Sequence, residues 1–308
     1  MIDDSPKLII INGPTCSGKS ALAVELASIV GGEIINADSM QVYRGMDIGT
    51  AKLIISERKG IPHHLIDIIN PDQEFNAALF LVHALPIIKD LHSKKIPIIV
   101  VGGTGLYVRA LLGGLFNCPP SDPELKQNLW KECEKQGLSF LYKKLSRLDR
   151  DAADRIHPMD KARIIRALEV IHLTGNQFSE LTRKHDFSNK RFFPLNLCLN
   201  VDRHTLYSRI NRRTITMIDA GFINEVEVLL KMGYDSNLKS MQAIGYRHIV
   251  GYLKNKWNLN ETIRLIQRDT RRYAKRQLTW HRPDPDIIWV NPDDTTEIIN
   301  KVLTFVAP

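Results

Sequence analysis

The stretch KLIIINGPTCSGKSALAVELA constrains this chain more than any other feature. Lys7 to Ile11 is a short apolar run rich in β-branched residues, bounded by Asn12 and Gly13, as a buried parallel strand requires. Gly-x-x-x-x-Gly-Lys-Ser follows over Gly13 to Ser20, and then Ala21, Leu22, Leu26 and Ile29 fall at helical spacing before Gly31-Gly32. Strand, glycine loop and helix are the context in which this pattern cradles phosphate. Gly13 and Gly18 let successive N–H groups point inward, and the helix N-terminus adds partial positive charge. Lys19 supplies a point charge and Ser20 a hydroxyl for Mg²⁺. A phosphate site is therefore predicted, with the owner of the phosphate open.

The next hundred residues repeat the strand-helix alternation. Strands are expected at Glu33–Ala37, His64–Ile69 and Ile96–Val101, with a helix from Asn76 to Lys94 that Pro86 should kink or divide. Continuous apolar strands between helices imply a parallel sheet covered on both faces, and such sheets bind ligands at the carboxyl ends of their strands. That rule puts Gly13 to Ser20, Asp38-Ser39 and the GGTG turn at Gly102 to Gly105 on one rim. After Cys118-Pro119-Pro120 the texture becomes charged and helical, in pieces such as PELKQNLWKECEKQG and MDKARIIRALEVIHLTG. The reading is a discontinuous α/β core, 1–118 and 195–308, with C-terminal helices and an all-helical insertion at 119–194. Leu195–Val201 is the returning strand, and Ile287–Val290 a last short one.

Two basic segments follow. Arg209 and Arg213 stand four apart with Arg212 beside them, and Arg264, Arg268, Arg271, Lys275 and Arg282 form a stripe at helical steps. From Glu261 to Arg282 seven Lys/Arg face two acids, where a solvated helix alternates signs, so the stripe is expected to meet a polyanion. The overall charge of +8 agrees. Tyr273, Trp280 and His281 are interleaved with it; stacking on bases competes with core packing, the commoner fate of a helical Trp. Cys16, Cys118, Cys133 and Cys198 have no C-x-x-C spacing, which argues against a zinc site or a disulfide framework and fits a reduced cytoplasm. No apolar run reaches the ~18 residues of a membrane span, and MIDDSPK lacks the basic start of a signal peptide.

Taken in order, GPTCSGKS, NADSMQVYRGMDIGTAK, IPHHLID, GGTGLY, ARIIRALEV, RINRR, QAIGYR and YAKRQLTWHR closely resemble the tRNA dimethylallyltransferases, across almost the whole chain. The resemblance implies a P-loop-kinase-like core with a helical insertion. It implies an enzyme that moves the dimethylallyl group of dimethylallyl pyrophosphate, with Mg²⁺, onto the exocyclic amine of the adenosine 3′ of the anticodon. The loop, Gly13, Pro14, Thr15, Cys16, Ser17, Gly18, Lys19 and Ser20, would then hold pyrophosphate together with Arg209. Asp38, Thr15 and Arg213 would carry the chemistry. Asp38, Ser39, Met40 and Gln41 would read the flipped base, with Thr104 as a further contact. Lys126, Arg163 and Arg166 would grip the anticodon stem-loop, and Gln242, Tyr246, Arg271 and Lys275 would add tRNA contacts. A cytoplasmic monomer with no membrane attachment is the expectation. The competing readings are a P-loop nucleotide or small-molecule kinase, an adenylate dimethylallyltransferase, and a noncatalytic RNA-binding module. Gly102-Gly103 weighs against the kinase, standing where an acidic Mg²⁺ residue would be expected.

Overall fold

The computed structural model describes residues 5–115, 118–185 and 191–307. The chain divides into two compact units, Met1–Leu112 with Arg191–Pro308, and Gly113–Lys190. In chain order the first begins with β1 (Lys7–Asn12), α1 (Lys19–Val30), β2 (Glu33–Asn36), β3 (His63–His64), α2 (Ala77–Ser93), β4 (Ile98–Val101) and α3 (Gly105–Gly113). The second contains α4 (Pro123–Gln136), α5 (Leu138–Leu148), α6 (Arg150–Arg155), α7 (Lys161–Thr174) and α8 (Phe178–His185). The first resumes with β5 (Phe193–Leu199), α9 (Arg203–Asp219), α10 (Phe222–Lys231), α11 (Tyr246–Leu253), α12 (Leu259–His281), β6 (Ile288–Val290) and α13 (Thr295–Val306).

The six strands of the described residues are all parallel, in the order β3-β2-β4-β1-β5-β6. β1 is central: Ile9 pairs with Ile99 on one side and Leu195 on the other, and Ile11 with Val101 and Leu197. This accounts for the unbroken apolar run, since a strand covered on both faces has no side for polar residues. Leu22, Val24 and Leu26 of α1 and Ile298 and Val302 of α13 pack against Ile9, Ile11, Ile34, Ile99 and Leu197. The helical unit has its own core of Leu129, Leu141, Leu145, Ile164, Ile165 and Leu168. Three of its helices start on aspartate caps, Asp122, Asp149 and Asp160, each accepting an amide of the first turn.

Two expectations of secondary structure are corrected. The third strand is not His64–Ile69 but only His63–His64, because Leu65 and Asp67 take left-handed backbone angles (φ 63° and 56°). The amides of Asp67, Ile68 and Ile69 then bond to the carbonyls of Gln41 and Val42 instead of continuing along β2. Pro86 does not divide α2, which runs unbroken from Ala77 to Ser93. Pro86 and Val82 are both exposed, so the carbonyl deprived of its donor lies on the solvent side of the helix. The other strands lie within two residues of their expected bounds.

Candidate active site

The carboxyl ends of β1, β2 and β4 open into a cavity of roughly 480 Å³. Its floor is the loop after β1. Gly13 (φ 146°), Cys16 (φ 65°) and Gly18 (φ 94°) turn the backbone, and the loop closes with Ser17 N–H on the Pro14 carbonyl at 3.2 Å. Gly18, the N-cap of α1, has no side chain to satisfy the first amides of that helix. Those donors are left for an anion. Thr15, Cys16, Gly18, Lys19 and Ser20 line the cavity. Gly13, Pro14 and Ser17 shape the loop from outside that lining, with Ser17 wholly buried and its hydroxyl unpartnered.

Lys19 donates to the Pro14 carbonyl at 3.0 Å. Burial lowers its pKa to about 8, opposed by the Asp38 carboxylate and assisted by the charge of Arg213. An anion in the cavity would favour its charged form. From α9, Arg209, Arg212, Arg213 and Thr216 point into the cavity at successive helical steps. Arg213 donates to Thr15 Oγ1 at 2.7 Å, which ties the helix to the phosphate loop. α12 adds Tyr273 and Gln277, one turn apart. Gln277 accepts the Thr15 amide and donates to the Gly103 carbonyl, both at 2.8 Å. Tyr273 is held well above the ordinary tyrosine range by burial first and then by the Asp38 carboxylate.

Asp38 stands just past β2 in the cavity wall. Its Oδ1 accepts from the amides of Met40 (2.8 Å) and Gln41 (3.3 Å), so the aspartate caps the following turn. Gln41 also lines the cavity and holds the carbonyls of Thr50 and Ala51, two further lining residues. Ser39 and Met40 are half-buried outside the lining, and Ser39 N–H reaches Thr104 Oγ1 at 3.1 Å. Asp38, Ser39, Gln41 and Thr104 thus form one assembly beside the phosphate loop.

Several residues expected to contact RNA are engaged within the protein. Tyr246 is fully buried edge-on against Phe222, with its hydroxyl given to Glu225 at 2.6 Å, so it has no surface to offer. Arg166 turns inward, donating to Glu169 (2.7 Å), Cys118 Sγ (2.8 Å) and the Pro119 carbonyl (2.9 Å), because the buried Glu169 carboxylate needs a cation. Arg271 leans across α9 to Asn211 and the Tyr207 ring. Arg264 pairs with Glu261, and Arg268 with Asp269, so the α12 stripe carries less free charge than its composition suggests. His281 is buried, and burial lowers its pKa to about 4, which removes it from base stacking. Trp280 remains 40% exposed. Lys275 and Gln242 are exposed; Gln242 borders a second pocket with Arg247, Lys254 and Arg268. In the helical unit Arg163 is exposed beside Asp160 and Lys126 is half-buried on α4.

Gln277, Tyr273, Arg212, Thr216, Thr50, Ala51 and Asn36 line the cavity without having been singled out for it. For Gln277 the signal was available: with Tyr273 and Ala274 it marks the inner face of a helix whose other faces are basic. For Thr50 and Ala51 there was none. Among the described residues no three His, Cys, Asp or Glu side chains gather to hold a metal. Among the oxygen-bearing side chains that line the cavity, Ser20 and Asp38 are hard ligands that suit Mg²⁺ only in partnership with phosphate oxygens and water.

The chain matches the family described as IPP transferase over residues 41–284, and the one described as isopentenyl transferase over residues 6–67. A tRNA dimethylallyltransferase 2 of Syntrophus aciditrophicus is 50% identical over 303 residues, covering 98% of this chain and 97% of the relative. The tRNA dimethylallyltransferase of Geobacter metallireducens is 47% identical, covering 98% of each. Among solved structures, the tRNA isopentenylpyrophosphate transferase of Bacillus halodurans is similar with a TM-score of 0.73 at 39% identity, over 98% of this chain and 97% of its own. A eukaryotic dimethylallyltransferase acting on tRNA is similar with a TM-score of 0.82 at 29% identity, over 97% and 78%.

Proposed function

This chain belongs to the IPP transferase family, the tRNA dimethylallyltransferases, and from that membership we propose that it prenylates tRNA: it transfers the dimethylallyl group of dimethylallyl pyrophosphate to the exocyclic amine of the adenosine 3′ of the anticodon. The observation that carries the site-level reading is the sharing of one cavity by a phosphate loop, the arginines of α9 and a single carboxylate, Asp38.

In the reaction the allylic C–O bond breaks with its electron pair leaving on pyrophosphate, and the amine nitrogen forms the new N–C bond. Charge therefore develops on the leaving group, where donors already in position lower the barrier most. The loop amides, Lys19, Arg213 and Arg209 are those donors. Thr15, pinned by Arg213 and Gln277, lies at the junction of loop and cavity. The exocyclic amine is a weak nucleophile, and Asp38 orients it and takes the proton it loses. Its Oδ1 is engaged by the turn amides, which leaves Oδ2 for the amine. An adenine stacked in its loop is out of reach, so the base swings out and Asp38, Ser39, Gln41 and Thr104 receive it. Mg²⁺, held by the Ser20 hydroxyl with phosphate oxygens and water, would supply further neutralisation of the pyrophosphate.

The anticodon stem-loop is the tRNA element that fits this chemistry, with Lys126 and Arg163 of the helical unit and Lys275 of α12 as phosphate contacts that orient without specifying. A monomer is part of this proposal, with the phosphate loop, α9 and α12 of the same chain supplying the cavity. No helix among the described residues is long and apolar enough to cross a membrane, and a cytoplasmic location is part of the proposal. Incubation with labelled dimethylallyl pyrophosphate and either tRNA, AMP, or ATP plus a nucleoside tests the reading. Label on tRNA alone, at the adenosine next to the anticodon, is the expected result, whereas label on AMP or phosphoryl transfer from ATP would overturn it.

A further inference from the structure

We infer that Gln277 is a positioning residue that locks the phosphate loop to the base-reading turn and so sets the reactive geometry between the two substrates. The inference rests on the prenyl-transfer reading of the cavity. Gln277 is 5% exposed, and both ends of its amide are engaged: Oε1 accepts the Thr15 N–H and Nε2 donates to the Gly103 carbonyl, each at 2.8 Å. The orientation of the amide is therefore dictated, since the oxygen must meet a donor and the nitrogen an acceptor. Its partners are 262 and 174 residues away, on the loops that follow β1 and β4.

Those two strands are neighbours, but their last backbone bond is Gly102 N–H to the Ile11 carbonyl at 3.3 Å. Past it the chains separate into the phosphate loop and the GGTG turn, and Gln277 spans the gap. The link continues on both sides. Thr15 is gripped at its hydroxyl by Arg213, and Thr104, next to Gly103, accepts the amide of Ser39, the neighbour of Asp38. The phosphate end and the base end of the site are joined through one side chain. Gly103 is part of the same device: a Cβ there would overlap Gln277 Nε2 while every other neighbour stays at least 3.4 Å away.

Loss of the bridge leaves the buried Gly103 carbonyl and the half-buried Thr15 amide without their partner, which the two loops relieve by moving. A displacement of about 1 Å between reacting groups costs on the order of 10²-fold in rate. The experiment compares Gln277→Leu, Gly103→Ala and the double variant in single-turnover transfer at saturating substrates, in tRNA binding, and in calorimetric binding of inorganic pyrophosphate. Each single variant should lose roughly 10² in rate, weaken pyrophosphate severalfold and leave tRNA affinity within about threefold of wild type. The double variant should be no slower than Gln277→Leu alone, because the alanine methyl then has nothing to displace. Losses that multiply, or tRNA binding that collapses while the bound complex reacts at the wild-type rate, would overturn the assignment. Should Gln277→Leu fail to fold, Gly103→Ala alone reads the bridge, with the amide present but pushed aside. Should wild type fail to modify tRNA, the functional reading falls by itself, and pyrophosphate calorimetry still reports on the Gln277 link.

Discussion

At the scale of single residues, the cavity separates holding a loop in shape from moving a proton. Asp38 does the first through Oδ1, and an asparagine in its place would keep that acceptor. Asp38→Asn should therefore leave pyrophosphate and tRNA binding close to wild type while single-turnover transfer falls by roughly 10²–10⁴, the loss typical of a missing general base. A rate near wild type would remove Asp38 from the proton transfer. Lys19 makes a second residue-level prediction. Its folded pKa is lowered from 10.5 to about 8, so the free protein loses this charge as pH rises through 8. An anion favours the charged form, hence binding of pyrophosphate should take up a proton near and above pH 8, and affinity should decline in that range. Lys19→Arg keeps its charge, so the difference in pH dependence between it and wild type isolates Lys19 from the ligand's own titration. Identical profiles would place the titrating group elsewhere.

At the scale of elements, the loop that forms one wall of the cavity is shaped by helices from the far end of the chain. Glu225 on α10 accepts the amides of Asp47 (3.0 Å), Ile48 (2.6 Å) and Gly49 (3.1 Å), as well as the Tyr246 hydroxyl. Gly49 lies so close that a Cβ would overlap the rings of Phe222 and Tyr246, both buried and unable to yield. Gly49→Ala should cost about 1–3 kcal/mol of stability in urea melts, as overpacking does. Because Thr50 and Ala51 follow the loop into the cavity wall, the transfer rate should fall with it. An unchanged melt would show that this loop does not dock on α10 and α11.

At the scale of the whole molecule, net charge and its distribution govern the encounter with RNA. Binding of tRNA should weaken steeply with salt, since counterions are released from each phosphate that is neutralised. Lys275 is exposed and Arg271 is spent on Asn211 and Tyr207, so the two should behave differently. Lys275→Ala should flatten the slope of log affinity against log salt by about one unit, and Arg271→Ala by less. Equal flattening would put Arg271 back on the RNA face. The helical unit, with a core of its own around Leu141 and Leu145, carries Lys126 and Arg163 on a scaffold that folds around separate contacts.

The phosphate loop was legible from residues 7 to 32 because everything that shapes it is local: glycines that allow positive φ, an apolar strand before and a helix after. The parallel sheet was legible for the same kind of reason, through runs of Ile and Val that only a strand covered on both faces would tolerate. Family resemblance located Asp38, Thr15 and Arg213, and the fold brought all three to one cavity. Partnership was not legible. Arg166 and Arg271 look like RNA ligands in a charged string, yet buried or neighbouring polar groups claim them. Tyr246 stands in a motif but is buried, because Glu225 offers its hydroxyl an acceptor inside. Gln277 reads as one more polar residue on a basic helix until Thr15 and Gly103 come within 2.8 Å of its two ends. A hydrogen bond between residues 262 apart leaves no trace in local pattern, because its energy depends on a distance that only the folded chain defines.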